Sequence, residues 1–262
     1  MTTAASTPIT GQRTSATRQL WARVARTLLS AQLVVGAWLA ATAAVVAVVV
    51  LAVVQQWVRP EMSAVQLGGQ VAVWFCFGVS IMLATTYLRT LVAAGATRRS
   101  FWLAGVVTAL VTGLVFALGF VALLLAERAA YRALGWAPLD PNTGEDVLAG
   151  GLWPPLWGMT LVVAVMVLAG LLVGATYLRW RGWATLMLPL TVALPFLLVS
   201  LTTESPRAGI MVGGADDLTS SALLEQLHGT PLGMAVTVLT LVLTAAGAWL
   251  ALRDLPIRPA AG

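Results

Sequence analysis

Long apolar runs without a single ionisable side chain are the feature that most constrains this chain. A membrane-crossing helix needs about 20 predominantly apolar residues. Six stretches of that kind contain no Asp, Glu, Lys, Arg or His, namely 33–54, 65–88, 101–126, 156–177, 183–201 and 232–252. Only 10% of all residues are charged, against about 25% in soluble domains. The sequence therefore predicts an all-α polytopic membrane protein with six transmembrane helices.

The arginines predict how these six spans are oriented. The chain has no Lys, and with six spans eleven of its fifteen basic residues fall on the side that holds both termini. That side carries Arg13, Arg18, Arg23, Arg26, Arg89, Arg98, Arg99, Arg179, Arg181, Arg253 and Arg258. An excess of Lys and Arg in short loops marks the cytoplasmic side. The N and C termini are therefore predicted to be cytoplasmic.

The parts of the chain outside the spans are short. Residues 1–16 are rich in Ser, Thr and Ala without periodicity, which predicts a disordered cytoplasmic tail. Residues 17–253 form the predicted transmembrane domain, and residues 254–262 form a second cytoplasmic tail. Between Arg18 and Leu29 apolar residues recur at helical spacing, and Trp21 suits the headgroup region, which predicts a short interfacial helix before the first span. A positively charged flank with an aromatic anchor is the alternative.

Catalytic and metal-binding chemistry finds few candidate residues. Cys76 lies in an apolar run and is the single cysteine, which excludes a disulfide framework and a cysteine metal cluster. The single His228 has no obvious partners for a metal site. A phosphate-binding loop that ends in Lys cannot exist in a chain without Lys. We therefore expect no catalytic, metal or cofactor site on this chain, and no nucleic-acid binding, because the arginines are scattered.

Small and hydroxyl-bearing residues form patterns within three of the spans. The third span carries a ridge of small residues, and the fourth carries a notch, as closely packed membrane helices do. These positions are Gly105, Ala109, Gly113 and Ala117 on the third span and Gly170 and Gly174 on the fourth. They serve either packing within one bundle or dimerisation. Thr237, Thr240 and Thr244 share a face of the sixth span, where they either line a polar path or bond their own backbone.

The connection between the second and third spans, residues 90–100, is short and lies on the predicted cytoplasmic side. Its first residues are compatible with a helix, Gly95 permits a break, and Thr97 or Ser100 suits the cap of the next helix. One interpretation is a short helix that projects beyond the bilayer, where another protein can hold it. The other is a loop whose Arg98 and Arg99 only fix topology and contact lipid phosphates.

In topology, the chain resembles the permease subunit of type-2 ATP-binding-cassette exporters, especially small actinobacterial ones. The resemblance covers about Thr17 to Arg253 and includes two short motifs. Ala94-Gly-Ala-Thr-Arg-Arg-Ser-Phe101 resembles the Gly-x-x-Arg-Arg-x-Phe stretch of that family. Tyr177-Leu-Arg-Trp-Arg-Gly182 resembles its basic turn before the fifth span.

The resemblance implies a cytoplasmic ATPase partner, a permease homodimer or heterodimer surrounded by lipid, and a place in the inner membrane of a bacterium. It also makes residues 91–97 the expected coupling helix. The ATPase-coupling loop then comprises Leu91, Val92, Gly95, Thr97, Arg98 and Arg99. The expected function is a non-catalytic permease that forms half of a translocation path in an ATP-driven exporter. The alternative is a non-transport membrane scaffold, immunity or regulatory protein.

Overall fold

The computed structural model describes residues 10–54, 63–135, 148, 150–180, 186, 189, 191 and 231–253. This part of the chain is built from the helices α1 (Thr10–Val54), α2 (Ala64–Ala93), α3 (Arg98–Leu134), α4 (Trp153–Trp180) and α5 (Pro231–Arg253). Each contains a segment long and apolar enough to cross a membrane. Five of the six predicted spans are thus confirmed as helices of that length. The predicted span 183–201 lies outside the described residues, apart from three isolated positions.

Helix α1 differs from the prediction because it is one continuous helix of 45 residues. Its membrane-length segment runs over Trp21–Val46, so a separate interfacial helix over Arg18–Leu29 is not confirmed. Residues 10–16 of the predicted disordered tail also belong to this helix. No Pro interrupts residues 10–54. Each residue added to an existing helix adds one backbone hydrogen bond. The helix therefore continues through the predicted end of the tail and the predicted start of the first span.

Helix α4 lies at the centre of the described bundle. In its most apolar stretch 83% of the residues are buried, whereas the corresponding share in α1 is 12%. Every residue from Gly158 to Leu171 is buried, and α2, α3 and α5 pack around this helix. A helix that is apolar on all sides is suited to such an enclosed position.

The ridge of small residues on α3 lies at the contact with α4. All four of its members are buried, namely Gly105, Ala109, Gly113 and Ala117. A Cβ atom placed on Gly113 would collide with the carbonyl oxygen of Thr160 on α4, and one on Gly105 would lie 2.8 Å from Leu171 Cδ1. The two backbones therefore approach more closely than a larger residue allows.

The notch on α4 receives helix α2. A Cβ atom on Gly170 would lie 2.5 Å from the carbonyl oxygen of Phe77, and one on Gly174 would lie 2.5 Å from Ala84 Cβ. Both glycines are buried. The small residues were expected to serve either packing within one bundle or dimerisation. The structure places both the ridge and the notch at contacts within one bundle.

One end of the bundle collects most of the described arginines, and we call it the arginine end. Its buried cluster includes Leu28 of α1, Leu88 of α2, Phe101 of α3, Ala175 of α4 and Leu252 of α5. Helices α4 and α5 both finish there, so they run in the same direction. The span predicted at 183–201 lies between them in the sequence and stays a prediction.

At the opposite end, a carboxylate of α3 meets the first turn of α2. Ser63 is the N-cap of α2, and its hydroxyl accepts a hydrogen bond from the Gln66 amide. The same hydroxyl donates to Glu127 Oε2 over 2.6 Å. The Val65 amide donates to Glu127 Oε1 over 3.2 Å. The first amides of a helix lack partners within the helix, and the buried Glu127 supplies one from a neighbouring helix.

Candidate functional site at the arginine end

The connection between α2 and α3 is a tight turn rather than a separate helix. Leu91 and Val92 belong to the last turns of α2, which ends at Ala93. The Gly95 amide then donates to the Val92 carbonyl over 3.0 Å, and the Ala96 amide donates to the Leu91 carbonyl over 2.9 Å. The coupling helix expected over 91–97 is therefore a wrong prediction, because α2 continues through its first half and closes with this turn.

Gly95 makes the turn possible. Its φ of +91° lies in the left-handed region, where glycine avoids the clash that a Cβ atom would cause. Thr97, one of the two residues predicted as the next cap, is the N-cap of α3, and its hydroxyl accepts a hydrogen bond from the Ser100 amide over 3.1 Å. The turn is thus fixed by hydrogen bonds on both of its sides.

The predicted coupling residues separate into a packed group and an exposed group. Leu91 and Val92 are partly buried and pack against the apolar cluster of the arginine end. Gly95, Thr97 and Arg99 are exposed. The surface that the turn offers to another molecule therefore consists of its small tip and Arg99.

Arg98 bonds within the bundle instead. It donates from a guanidinium nitrogen to the carbonyl oxygen of Arg253, the last residue of α5, over 2.6 Å. Arg179 of α4 donates likewise to the Leu250 carbonyl over 3.0 Å. The last carbonyls of a helix lack partners within it and carry partial negative charge. The two arginines therefore bind the end of α5 to α3 and α4.

A second contact also connects α3 with α5. The indole nitrogen of Trp102 donates to the Ala245 carbonyl over 2.8 Å, and the ring of Trp102 lies 5.6 Å from that of Trp249 between centroids. Together with the Arg98 contact, these interactions bind the first turns of α3 to the last turns of α5. These contacts connect α5 with the residues that directly follow the α2–α3 turn.

The hydroxyl face of α5 is buried, with Thr237, Thr240 and Thr244 at most 5% exposed. Each hydroxyl donates to a carbonyl four residues earlier on the same helix, over 2.8–2.9 Å. The structure thus shows the backbone bonding that was one of the two roles open for these residues. Whether they line a path stays a prediction.

Metal ligands do not gather among the described residues. In that part of the chain no group of three His, Cys, Asp or Glu side chains is placed to hold a metal ion. Cys76 is buried in α2, and His228 lies outside the described residues. Glu127 is the single acidic side chain that the structure describes. The expected absence of a metal or cofactor site stays a prediction.

Comparison with protein-family models finds no match, and comparisons with curated proteins and with solved structures find none either. The fold itself defines a class. The described residues form an all-helical bundle with five helices long and apolar enough to cross a membrane, which indicates a membrane protein.

Proposed function

We propose that this chain is the membrane-spanning permease subunit of an ATP-driven exporter, coupled to a separate cytoplasmic ATPase and located in a bacterial inner membrane. Three features support the proposal: the helical bundle, the motif over residues 94–101, and the geometry of the turn that this motif forms. A chain without Lys lacks the lysine with which a phosphate-binding loop holds ATP. ATP hydrolysis therefore belongs to the partner.

The observation that carries the proposal is the contrast between the exposed tip of the α2–α3 turn and the buried residues of α2 and α3 on either side of it. Ala94, Gly95 and Arg99 are exposed. On either side of the tip, Leu88 and Phe101 are only 2% and 1% exposed in the apolar cluster. A partner that binds this tip and shifts it moves α2 and α3 together, because well-packed interiors transmit strain.

The contact with the ATPase differs from the one that the resemblance implies. Leu91 and Val92 face the cluster of the arginine end, so they hold the turn in place and do not form the docking surface. The docking surface on this proposal is the small tip, Ala94 and Gly95, flanked by Thr97 and Arg99. Small residues let another backbone approach closely, and Arg99 suits an acidic rim on the partner.

A single bundle supplies half of a translocation path, so the proposal includes a permease homodimer or heterodimer. Helix α1 offers a wide apolar surface, with exposed side chains at Val34, Trp38, Val45, Val49 and Val53. That surface is available to lipid and to a second permease. An oligomer count on the purified complex distinguishes the two.

The proposal is tested by binding of a candidate cytoplasmic ATPase, sought first in the reading frames that adjoin the one for this chain. The double variant Ala94→Glu, Arg99→Glu places two negative charges on the exposed tip and leaves the buried residues on either side of the tip unchanged. A buried unpaired charge at a protein contact is costly, so we expect about tenfold weaker binding or more in a pull-down from detergent.

The matched control combines Arg132→Glu with Ala133→Glu, an equal change of charge at two exposed positions of α3 at the other end of the bundle. It should bind the ATPase like the wild type. If the variant Ala94→Glu, Arg99→Glu inserts in the membrane and binds the ATPase as well as the wild type does, the turn has only a role in topology. That result would favour the non-transport alternative.

A further inference from the structure

Among the buried polar side-chain atoms that meet no hydrogen-bond partner in the described part of the chain, three lie at about the same level of the neighbouring helices α1 and α3. They are Oε1 of Gln32 on α1 and the hydroxyl oxygens of Thr108 and Thr112 on α3. Their residues are 1%, 3% and 0% exposed. Buried polar groups in native proteins are almost always paired with protein or with ordered water, so three such atoms on two neighbouring helices need a physical explanation.

The other threonines of the bundle show that this is not the usual state of a hydroxyl in these helices. The hydroxyls of Thr160, Thr176, Thr237, Thr240 and Thr244 all donate to a carbonyl three or four residues earlier. Thr108 and Thr112 have the same local option, yet their oxygens are without such a bond. Their hydroxyls are therefore available to a group that is not part of their own helix.

The register of the helices places Gln32 at about the same level of the bundle as these two threonines. Helices α1 and α3 run in parallel, since Leu28 shares the cluster of the arginine end with Ala104, while a Cβ atom on Gly36 would lie 2.6 Å from the ring of Phe116. Gln32 lies midway between Leu28 and Gly36. The facing stretch of α3, between Ala104 and Phe116, contains Thr108 and Thr112.

Helix α2 holds the glutamine side chain in this position. The Gln32 Nε2 group donates to the Cys76 carbonyl over 3.3 Å, which leaves Oε1 as the acceptor without a partner. We call Gln32, Thr108 and Thr112 the polar seam. The seam combines two hydroxyls, which donate and accept, with one amide oxygen, which accepts.

We infer that the polar seam binds an uncharged hydrogen-bonding group, a hydroxyl supplied by water or by a small neutral solute. A hydroxyl both donates and accepts, and so complements the three atoms. A charged ligand is disfavoured because a buried charge requires a partner of opposite sign, and the single described carboxylate, that of Glu127, bonds Ser63 and Val65 beyond the seam. This inference goes beyond the proposed function and does not depend on it.

The test is the thermal unfolding of the purified full chain in detergent, without any ATPase. Thr108→Val and Thr112→Val keep the shape of the side chain and remove the hydroxyl. If the seam is occupied, each variant should lower Tm by about 2–4 °C, the shift that one lost buried hydrogen bond produces in a chain of this size. Thr244→Val is the reference variant, because it removes a buried hydroxyl whose hydrogen-bond partner is known and so measures what the loss of a bonded hydroxyl does to Tm.

Glycerol is the probe that identifies the source of the hydroxyl. A solute that binds the seam stabilises the wild type more than Thr112→Val, so the gap in Tm widens with glycerol concentration. A difference in Tm that stays constant with glycerol concentration assigns the site to water. Either result supports the inference that the polar seam is occupied. The inference is overturned if both valine variants match the wild type or exceed it in Tm, since removing unpaired hydroxyls from a dry interface costs nothing. That outcome leaves ATPase binding at the α2–α3 turn unaffected.

Discussion

Glu127 is a single residue that connects two helices at the end of the bundle opposite the arginine end. Its carboxylate accepts hydrogen bonds from the hydroxyl and the amide at the start of α2. A negative charge at a helix N-terminus also interacts favourably with the partial positive charge there. Because Glu127 is only 8% exposed, water competes weakly for these bonds. The contact therefore holds α2 and α3 together at the end that lacks their short turn.

Replacing this carboxylate should lower stability in a measurable way. Glu127→Gln keeps the size of the side chain, but its amide nitrogen cannot accept a hydrogen bond, so either Ser63 or Val65 loses its acceptor. We expect a loss of about 1–3 kcal/mol in the free energy of unfolding, measured by thermal unfolding in detergent. Ser63→Ala should lose a similar amount, whereas Ser63→Thr, which retains a hydroxyl, should lose less. No change in Glu127→Gln would show that the contact contributes nothing.

At the scale of the helices, packing depends on where the small residues lie. Gly113 and Gly119 belong to the same helix, α3, and present opposite situations. A Cβ atom on Gly113 would collide with the Thr160 carbonyl of α4, whereas one on Gly119 would meet nothing within 4 Å. The bundle therefore requires glycine at the first position and not at the second.

For this pair of glycines, substitution by alanine is expected to change the stability of the bundle in opposite directions. Gly113→Ala should destabilise the bundle by about 1–3 kcal/mol, because the added methyl group forces α3 and α4 apart. Gly119→Ala should be neutral or stabilising by up to about 1 kcal/mol, because alanine favours the helix over glycine. Thermal unfolding of both variants measures the difference. Equal effects would mean that the two helices separate at no cost.

At the scale of the whole molecule, the arginine end gathers the start of α1, the α2–α3 turn and the last turns of α4 and α5. Arg98 and Arg179 lie there, each bonded to a carbonyl of α5. The excess of arginine on this side of the spans predicts that it faces the cytoplasm. The opposite end, with Ser63 and Glu127, then faces outward.

Labelling with an impermeant thiol reagent in intact cells measures this orientation. The native cysteine is first removed with Cys76→Ala, and one cysteine is then introduced at an exposed position of each end, Ala94→Cys or Ala133→Cys. We expect Ala133→Cys to be labelled and Ala94→Cys to be protected until the membrane is permeabilised. The reverse pattern would invert the topology and exclude a cytoplasmic ATPase at the α2–α3 turn.

The amino-acid sequence by itself determined the membrane class and the five described spans, because a long uncharged run has few ways to satisfy its backbone other than a helix in lipid. It also located the small residues that pack. Only the tertiary structure decided the roles of residues whose partners are distant in sequence. Leu91 turned out to pack inward, Arg98 to bond α5, and Glu127 and Gln32 to bond α2. Helical periodicity shows which residues share a face, but not which helix that face meets, and that choice depends on the packing of the whole bundle.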